Sequence, residues 1–219
     1  KGEEAQGQRL YKLAEQWFFK SKSIAERLDA DGMDASKFIA YANLRDLYSV
    51  AERHNEALEY GLLALKVCPK ETNSTIRDYY LSVISVINTY SNMGDMDNCY
   101  KYLDSLFVIE PYLDEPRERS KIYTTRGGCL FQFGDYEAAL ADYKQADAIL
   151  ASKYPETDVE RIGLYPLIGG VEHKLNHYSE SEHCYRLYAD MIKEIYGERS
   201  LKYINAQIYL ANAQGFDGN

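Results

Sequence analysis

The 219-residue chain carries a formal net charge of −9, with 25 Lys and Arg against 34 Asp and Glu and no block of clustered bases. That balance argues against a nucleic-acid partner, which needs grouped cations, and matches poorly to an anionic membrane. Hydrophobic residues make up 46% of the chain, enough for a core, yet no apolar run reaches the about 18 residues of a membrane span, so no membrane insertion is expected.

The 21 tyrosines are the unusual part of the composition, since a tyrosine ring suits half-buried helix faces and its hydroxyl suits binding surfaces. The 5 prolines and 14 glycines fall mostly where helices would end, which favours an all-α protein. Cys68, Cys99, Cys129 and Cys184 lie far apart, without CxxC or zinc-like spacing, and each sits in a helical pattern. Buried thiols and a cytoplasmic location are expected. A periplasmic or secreted location stays open, because the chain begins at Lys1 rather than Met.

In chain order, the first helical pattern contains Ala14-x3-Phe18. Tyr41-x2-Leu44-Arg45-x2-Tyr48 follows, then Ala57-x3-Gly61 and Pro69. Val83-x2-Val86-Ile87-x2-Tyr90 leads to Cys99-x3-Leu103 and Pro111. Tyr123-x2-Arg126-Gly127-x2-Leu130 leads to Ala139-x3-Tyr143, and Tyr165-x2-Ile168-Gly169-x2-Glu172 to Ser181-x3-Tyr185. In FGDYEAALADYKQA (133–146), Gly134 can close one helix and Asp135 can cap the next, whose stripe alternates small alanines with large tyrosines. Gly94-Asp95 marks an equivalent turn, and Ser179-x-x-Glu182 can form a capping box. CPKETNS (68–74) and EPYLDEPRE (110–118) read as links between successive units. Ser200 to Gln214 reads as one more helix before the chain ends in GFDGN.

These recurring residues resemble the tetratricopeptide repeat, whose signature is W-x2-L-G-x2-Y…A-x3-F…P. The small positions Ala57, Cys99, Ala139 and Ser181 are spaced by 42, 40 and 42 residues, a longer period resembling that of kinesin light chains and many bacterial multi-repeat proteins. Three departures stand out. Arg126 replaces an expected Leu, Glu172 replaces an aromatic, and the closing Pro is absent from the third and fourth units. The resemblance implies an all-α, right-handed superhelical solenoid of antiparallel helix pairs. A partial unit would occupy residues 1–33, complete repeats about 34–75, 76–117, 118–158 and 159–197, and a partial unit 198–219, within what is expected to be a fragment of a longer protein.

Gly127-Gly128 and Gly169-Gly170 share one register, follow no strand and lack a GK[ST] or GxGxxG context, so close helix packing explains them better than phosphate binding. The second glycine of each pair is expected to leave a shallow space. His173, His177, His183 and Cys184 are zinc-capable residue types, but the first two straddle a turn and no HExxH is present; polar residues at a repeat edge are the reading. No nucleophile has a base in convincing range, so neither an enzyme nor a cofactor is expected.

The family resemblance nominates Asn43, Asp46, Asn88, Asn92, Lys121, Thr124, Thr125, Phe131, Gln132, His173 and Lys174 as groove residues on the first helices. Asn43 matches an asparagine that some members use to hold a peptide backbone, for which an amide supplies both donor and acceptor. A clamp for a C-terminal carboxylate is argued against by Ala42, Asp46 and Ser85 at the places where that class needs Lys and Asn. The implied function is a protein–protein interaction module taking a peptide or partner domain. The alternative is the ligand- or peptide-sensing part of a larger bacterial signalling or regulatory protein. The apolar face around Ile204 and Ile208, in the unfinished C-terminal repeat, is expected to pair either with another chain, as self-association, or with residues missing from the given sequence.

Overall fold

In the computed structural model, residues 2–28, 34–68 and 73–215 are described. They are helical, with no strand among them. The chain divides into two compact units, Lys1–Ile109 and Glu110–Asn219. The first contains α1 (Gly2–Arg27), α2 (Asp34–Val50), α3 (His54–Val67), α4 (Asn73–Asn92) and α5 (Met96–Ile109). The second begins with a 3-10 turn at Glu110–Tyr112. It continues through α6 (Pro116–Phe133), α7 (Tyr136–Ala151), α8 (Val159–Ile162), α9 (Leu164–Lys174), α10 (Tyr178–Tyr196) and α11 (Leu201–Gln214).

Short turns fold α2 on α3, α4 on α5, α6 on α7 and α9 on α10 as antiparallel pairs. All four turns are built alike. A left-handed residue stands at one register, Glu52 (φ 56°), Gly94 (75°), Gly134 (89°) and Asn176 (62°). The next amide then donates to a carbonyl five residues back: Arg53 to Tyr48, Asp95 to Tyr90, Asp135 to Leu130 and His177 to Glu172, at 2.8–2.9 Å. This is the Schellman closure, which satisfies carbonyls that a helix end leaves orphaned. The Asp135 side chain accepts from the Ala138 amide at 3.3 Å, as a capping residue should.

In three of the pairs, α2–α3, α6–α7 and α9–α10, bulk on one helix is matched by its lack on the other. Gly127 faces the ring of Tyr143, and Gly169 faces Cys184 and Tyr185. In α2–α3 the sizes are reversed, with Gly61 of α3 lying against Arg45 of α2 and also against Val86 of α4. Around these contacts, Tyr41, Leu44, Tyr48, Ala57, Tyr60 and Ala64 form one buried cluster, in which Tyr48 stacks on Tyr60 at 5.7 Å between centroids. In the second unit, Leu130, Ala139, Tyr143 and Val171 form another, continued towards α11 by Ile162, Ala189, Ile192 and Ala206. The alternating alanines and tyrosines of α7 therefore have a packing role.

The two departures inside the repeat motif are each compensated. Arg126 makes a bidentate pair with buried Asp142, both contacts 2.6 Å, where the other pairs have Leu44 with Tyr60, Val86 with Tyr102 and Ile168 with Cys184. Glu172, also buried, meets Nδ1 of His177 at 2.7 Å and Nζ of Lys144 at 3.6 Å.

Three local expectations need correction. The capping box at Ser179 and Glu182 does not form: α10 starts two residues earlier, with His177 at its N-cap and no side-chain cap bond. The turn onto Glu172 fixes that start, and Glu182 is instead engaged by Arg186 and Gln214. The link at 110–118 is shorter than expected, because Pro116 begins α6, a position its fixed φ suits. The first helix of the fourth pair is split at Gly163 into α8 and α9, near Pro166, which has no amide hydrogen to continue the ladder. Residues 69–72 of CPKETNS and 216–219 of GFDGN lie outside the described residues.

Candidate functional site

With the tyrosine–alanine faces buried between paired helices, the first helices α2, α4, α6 and α9 each keep one edge in solvent. In α2 that edge carries Ile39, Asp46 and Val50, and in α4 it carries Leu81, Asn88 and Asn92. The spacing is the same, steps of 7 and 4, which places three residues along one helix face. The apolar members are well exposed, Ile39 at 56%, Val50 at 85% and Leu81 at 48%. They are the residues that the family-based nomination missed. Their legible sign was the register itself, since Ile39 and Leu81 stand 42 residues apart, like Asp46 and Asn88.

Asn43 is half-buried one turn before Asp46. Asp46 is exposed and accepts from Nε of Arg45 at 2.9 Å. Arg45 is buried, and its Nη1 donates to Ser82 Oγ at 3.3 Å, which ties α2 to α4 beneath this edge. Thus α2 and α4 are joined by a buried cation and topped by amides, a carboxylate and isolated apolar side chains.

In the second unit the corresponding edge holds Lys121, Gly128 and Gln132 on α6, and Gly163, at the N-cap of α9, with Gly170 and Lys174 along it. Lys121, Gln132 and Lys174 are exposed, as a groove role requires. Thr125 is buried and cannot meet a ligand, because its place on the helix faces the core. Thr124 spends its hydroxyl on the Ser120 carbonyl at 2.9 Å. Phe131 packs on Tyr136 and His173 on Tyr178, at 5.6 and 5.4 Å between centroids. Those two nominees share a register and brace the start of the second helix. The space expected at the second glycines is partly filled: a Cβ at Gly128 would lie 3.8 Å from the Tyr143 hydroxyl, and one at Gly170 3.5 Å from that of Tyr185. A phenol oxygen therefore approaches the solvent edge beside each of these glycines.

The zinc-capable residues serve other ends. His177 is held by Glu172, His173 by Tyr178, and His183 is exposed. No group of three or more His, Cys, Asp or Glu among the described residues is placed to hold a metal ion. Cys68, Cys99 and Cys129 are buried thiols; Cys184 is half-buried, and burial and then the nearby Glu172 push its pKa up to about 11. Burial likewise pushes Tyr143 up to about 12, with smaller contributions from Cys129 and Asp142. No helix among the described residues is long and apolar enough to cross a membrane.

Helix pairs with this packing, closure and period define a tetratricopeptide-like fold, and solved structures of such proteins share it. BtubC (BKLC) from P. vanneervenii superposes with a TM-score of 0.74 at 12% identity, over 96% of this chain and 84% of that one. A kinesin light chain with nearly identical TPR-like repeats from Podosopora anserina gives 0.67 at 14% identity, over 83% of this chain and 87% of the other. The apo form of RapI gives 0.69 at 13%, over 91% and 77%. At such identities the likeness is one of fold. No protein-family model matches the sequence. No curated protein matches it either.

Proposed function

We propose that the chain is a protein–protein interaction module in which the exposed edges of the first helices, α2 with α4 and α6 with α9, take an extended peptide or a partner domain. The supporting observation is the recurrence, in one register, of solvent-facing apolar and amide side chains above a packed and satisfied layer. Ile39, Val50 and Leu81 offer apolar contact, while Asn43, Asn88 and Asn92 offer the paired donor and acceptor that a peptide backbone needs. In the second unit Lys121, Gln132 and Lys174 would favour acidic or polar segments. Within each unit the helix pairs act as repeats that present a preordered surface, the usual mode of such proteins, and no residue is assigned a catalytic role.

The alternative, a sensing part of a larger bacterial regulatory protein, uses the same edges for a ligand; RapI, which shares the fold, was solved in an apo form and so has a ligand of its own. The test is affinity for a peptide selected against the intact protein. Asn43→Ala, Asn88→Ala and Leu81→Glu should weaken binding about 10-fold or more where the peptide crosses them, with thermal stability nearly unchanged. Unaltered affinity in all three, and in Lys121→Ala and Lys174→Ala, would overturn the reading.

A further inference from the structure

In the second unit a polar atom lies beneath each place where the edge has no side chain. Gly128 of α6 and Gly170 of α9 are half-buried and stand 42 residues apart, in one register. The ring of Tyr143 crosses Gly127 and brings its hydroxyl to 3.8 Å from where a Cβ of Gly128 would be. The hydroxyl of Tyr185 comes to 3.5 Å from that of Gly170. Tyr143 is 3% exposed, and its hydroxyl makes no hydrogen bond with a described residue, yet that oxygen is not walled in. A partnerless hydroxyl on a buried ring is costly unless it is satisfied from outside the protein. Both phenols are held in place. Tyr143 belongs to the cluster with Leu130, Ala139 and Val171, and Tyr185 stacks on Tyr209 of α11 at 5.8 Å between centroids.

The four helix pairs place a polar group at this register by two routes. In α2 and α4 the edge residue supplies it, as Asp46 and Asn88, and the second helix has Gly61 and Leu103, without a hydroxyl. In α6 and α9 the edge residue is glycine and the second helix supplies Tyr143 and Tyr185. Packing does not require these glycines. It requires Gly127 and Gly169, where a Cβ would come within 2.7 Å and 3.2 Å of the tyrosine beside it. A Cβ at Gly128 or Gly170 meets only an ordinary contact, and glycine weakens a helix interior relative to alanine. What the second glycine provides is access to the phenol.

We propose that Tyr143 and Tyr185 are ligand-binding residues, whose hydroxyls donate to main-chain carbonyls of an extended, carboxylate-bearing peptide lying against the bare backbone at Gly128 and Gly170. This rests on the reading of the first-helix edges as the binding surface, and adds which peptide group is held and by what. Without a Cβ, a ligand's main chain can approach an oxygen that a side chain would cover. Burial pushes Tyr143 up to about 12, so its phenol remains a protonated donor at neutral pH. Charge selects the side chains. Lys121 and Lys174 are exposed on this edge, and within 121–132 and 163–174 the one carboxylate is Glu172, buried against His177.

The test uses peptides selected by display against the intact chain, with affinities measured by calorimetry. Tyr143→Phe and Tyr185→Phe remove only the oxygens and should each weaken binding about 3- to 10-fold, as for one neutral hydrogen bond. Gly128→Ala and Gly170→Ala cover the oxygens and should weaken it at least as much. Melting temperatures of all four should be unchanged or raised, which a loss of packing would not allow. Esters replacing successive amides of the peptide make its carbonyls poorer acceptors. One ester should cost less against Y143F than against the wild type, a coupling that only direct contact produces. Unchanged affinity in these four variants, with loss in Lys121→Ala, Lys174→Ala or Asn88→Ala, overturns the assignment and leaves the edge reading standing. Additive losses at every ester also overturn it. Unchanged affinity in all seven variants overturns both.

Discussion

Replacing Gly127 or Gly128 with alanine separates helix packing from helix propensity. Both glycines lie inside α6, so each alanine gains about 1 kcal/mol or less from reduced backbone freedom, and this gain cancels between the two variants. The surroundings differ. A Cβ at Gly127 would sit 2.7 and 2.9 Å from ring carbons of Tyr143, whose side chain is buried and has nowhere to swing. At Gly128 the nearest atom is the Tyr143 hydroxyl, at an ordinary 3.8 Å. Contacts well inside the 3.5–4.0 Å optimum force overpacking, at about 1–3 kcal/mol. G127A should therefore be about 1–3 kcal/mol less stable than G128A in urea denaturation followed by circular dichroism at 222 nm, and G128A should equal or exceed wild type. Adding Tyr143→Leu should cost less in G127A than in wild type, because it restores the balance present where Ile87 and Leu103 take these places. Equal stability of the two alanine variants, or additive costs in the double variant, would refute the size-matching account of the helix pairs.

Asp142→Ala should destabilise the chain by about 2–4 kcal/mol, since it strands Arg126, which is partly exposed and so partly relieved by water. The double variant Arg126→Leu with Asp142→Tyr, which copies Leu44 and Tyr60, should recover most of that loss in the same denaturation assay. Glu52→Gly should raise the melting temperature slightly, by relieving up to about 1 kcal/mol of left-handed strain. Alkaline pH should destabilise the fold. Unfolded tyrosine titrates near 10, but folded Tyr143 titrates near 12, so its contribution is complete below pH 10 and is lost as pH rises towards 12. Melting temperatures from pH 8 to 11.5 should fall less steeply in Tyr143→Phe.

Most of the fold was legible because it recurs. One helix with an alanine and a tyrosine four residues apart means little, but the same spacing at Ala57, Cys99, Ala139 and Ser181 leaves few other packings. The turns at Gly94 and Gly134 were readable for the same reason. The turn at Asn176 was placed by its register, between His173 and His177, and asparagine tolerates the left-handed conformation; Glu52 gives no such sign. Compensating changes were also hidden. Arg126 and Glu172 look like lapses from the motif until Asp142 and His177 are seen beside them, and no rule of spacing pairs residues across a turn by charge. The candidate edge was only partly visible. Family register located Asp46, Asn88, Asn92, Lys121, Gln132 and Lys174 on solvent-facing positions. It also named Thr125, Phe131 and His173, which packing draws inward, and it passed over Ile39, Val50 and Leu81, because exposed apolar residues read as core in a linear pattern.

Backbone amide shifts of the isotopically labelled protein, recorded with and without a selected peptide, test the binding account most directly. It predicts that perturbed amides cluster on the first helices, around Ile39, Asn43, Asn88 and Asn92 or around Lys121, Gln132 and Lys174. Perturbations confined to the exposed faces of the second helices, such as those of Glu59, Lys101 and Lys144, would contradict it.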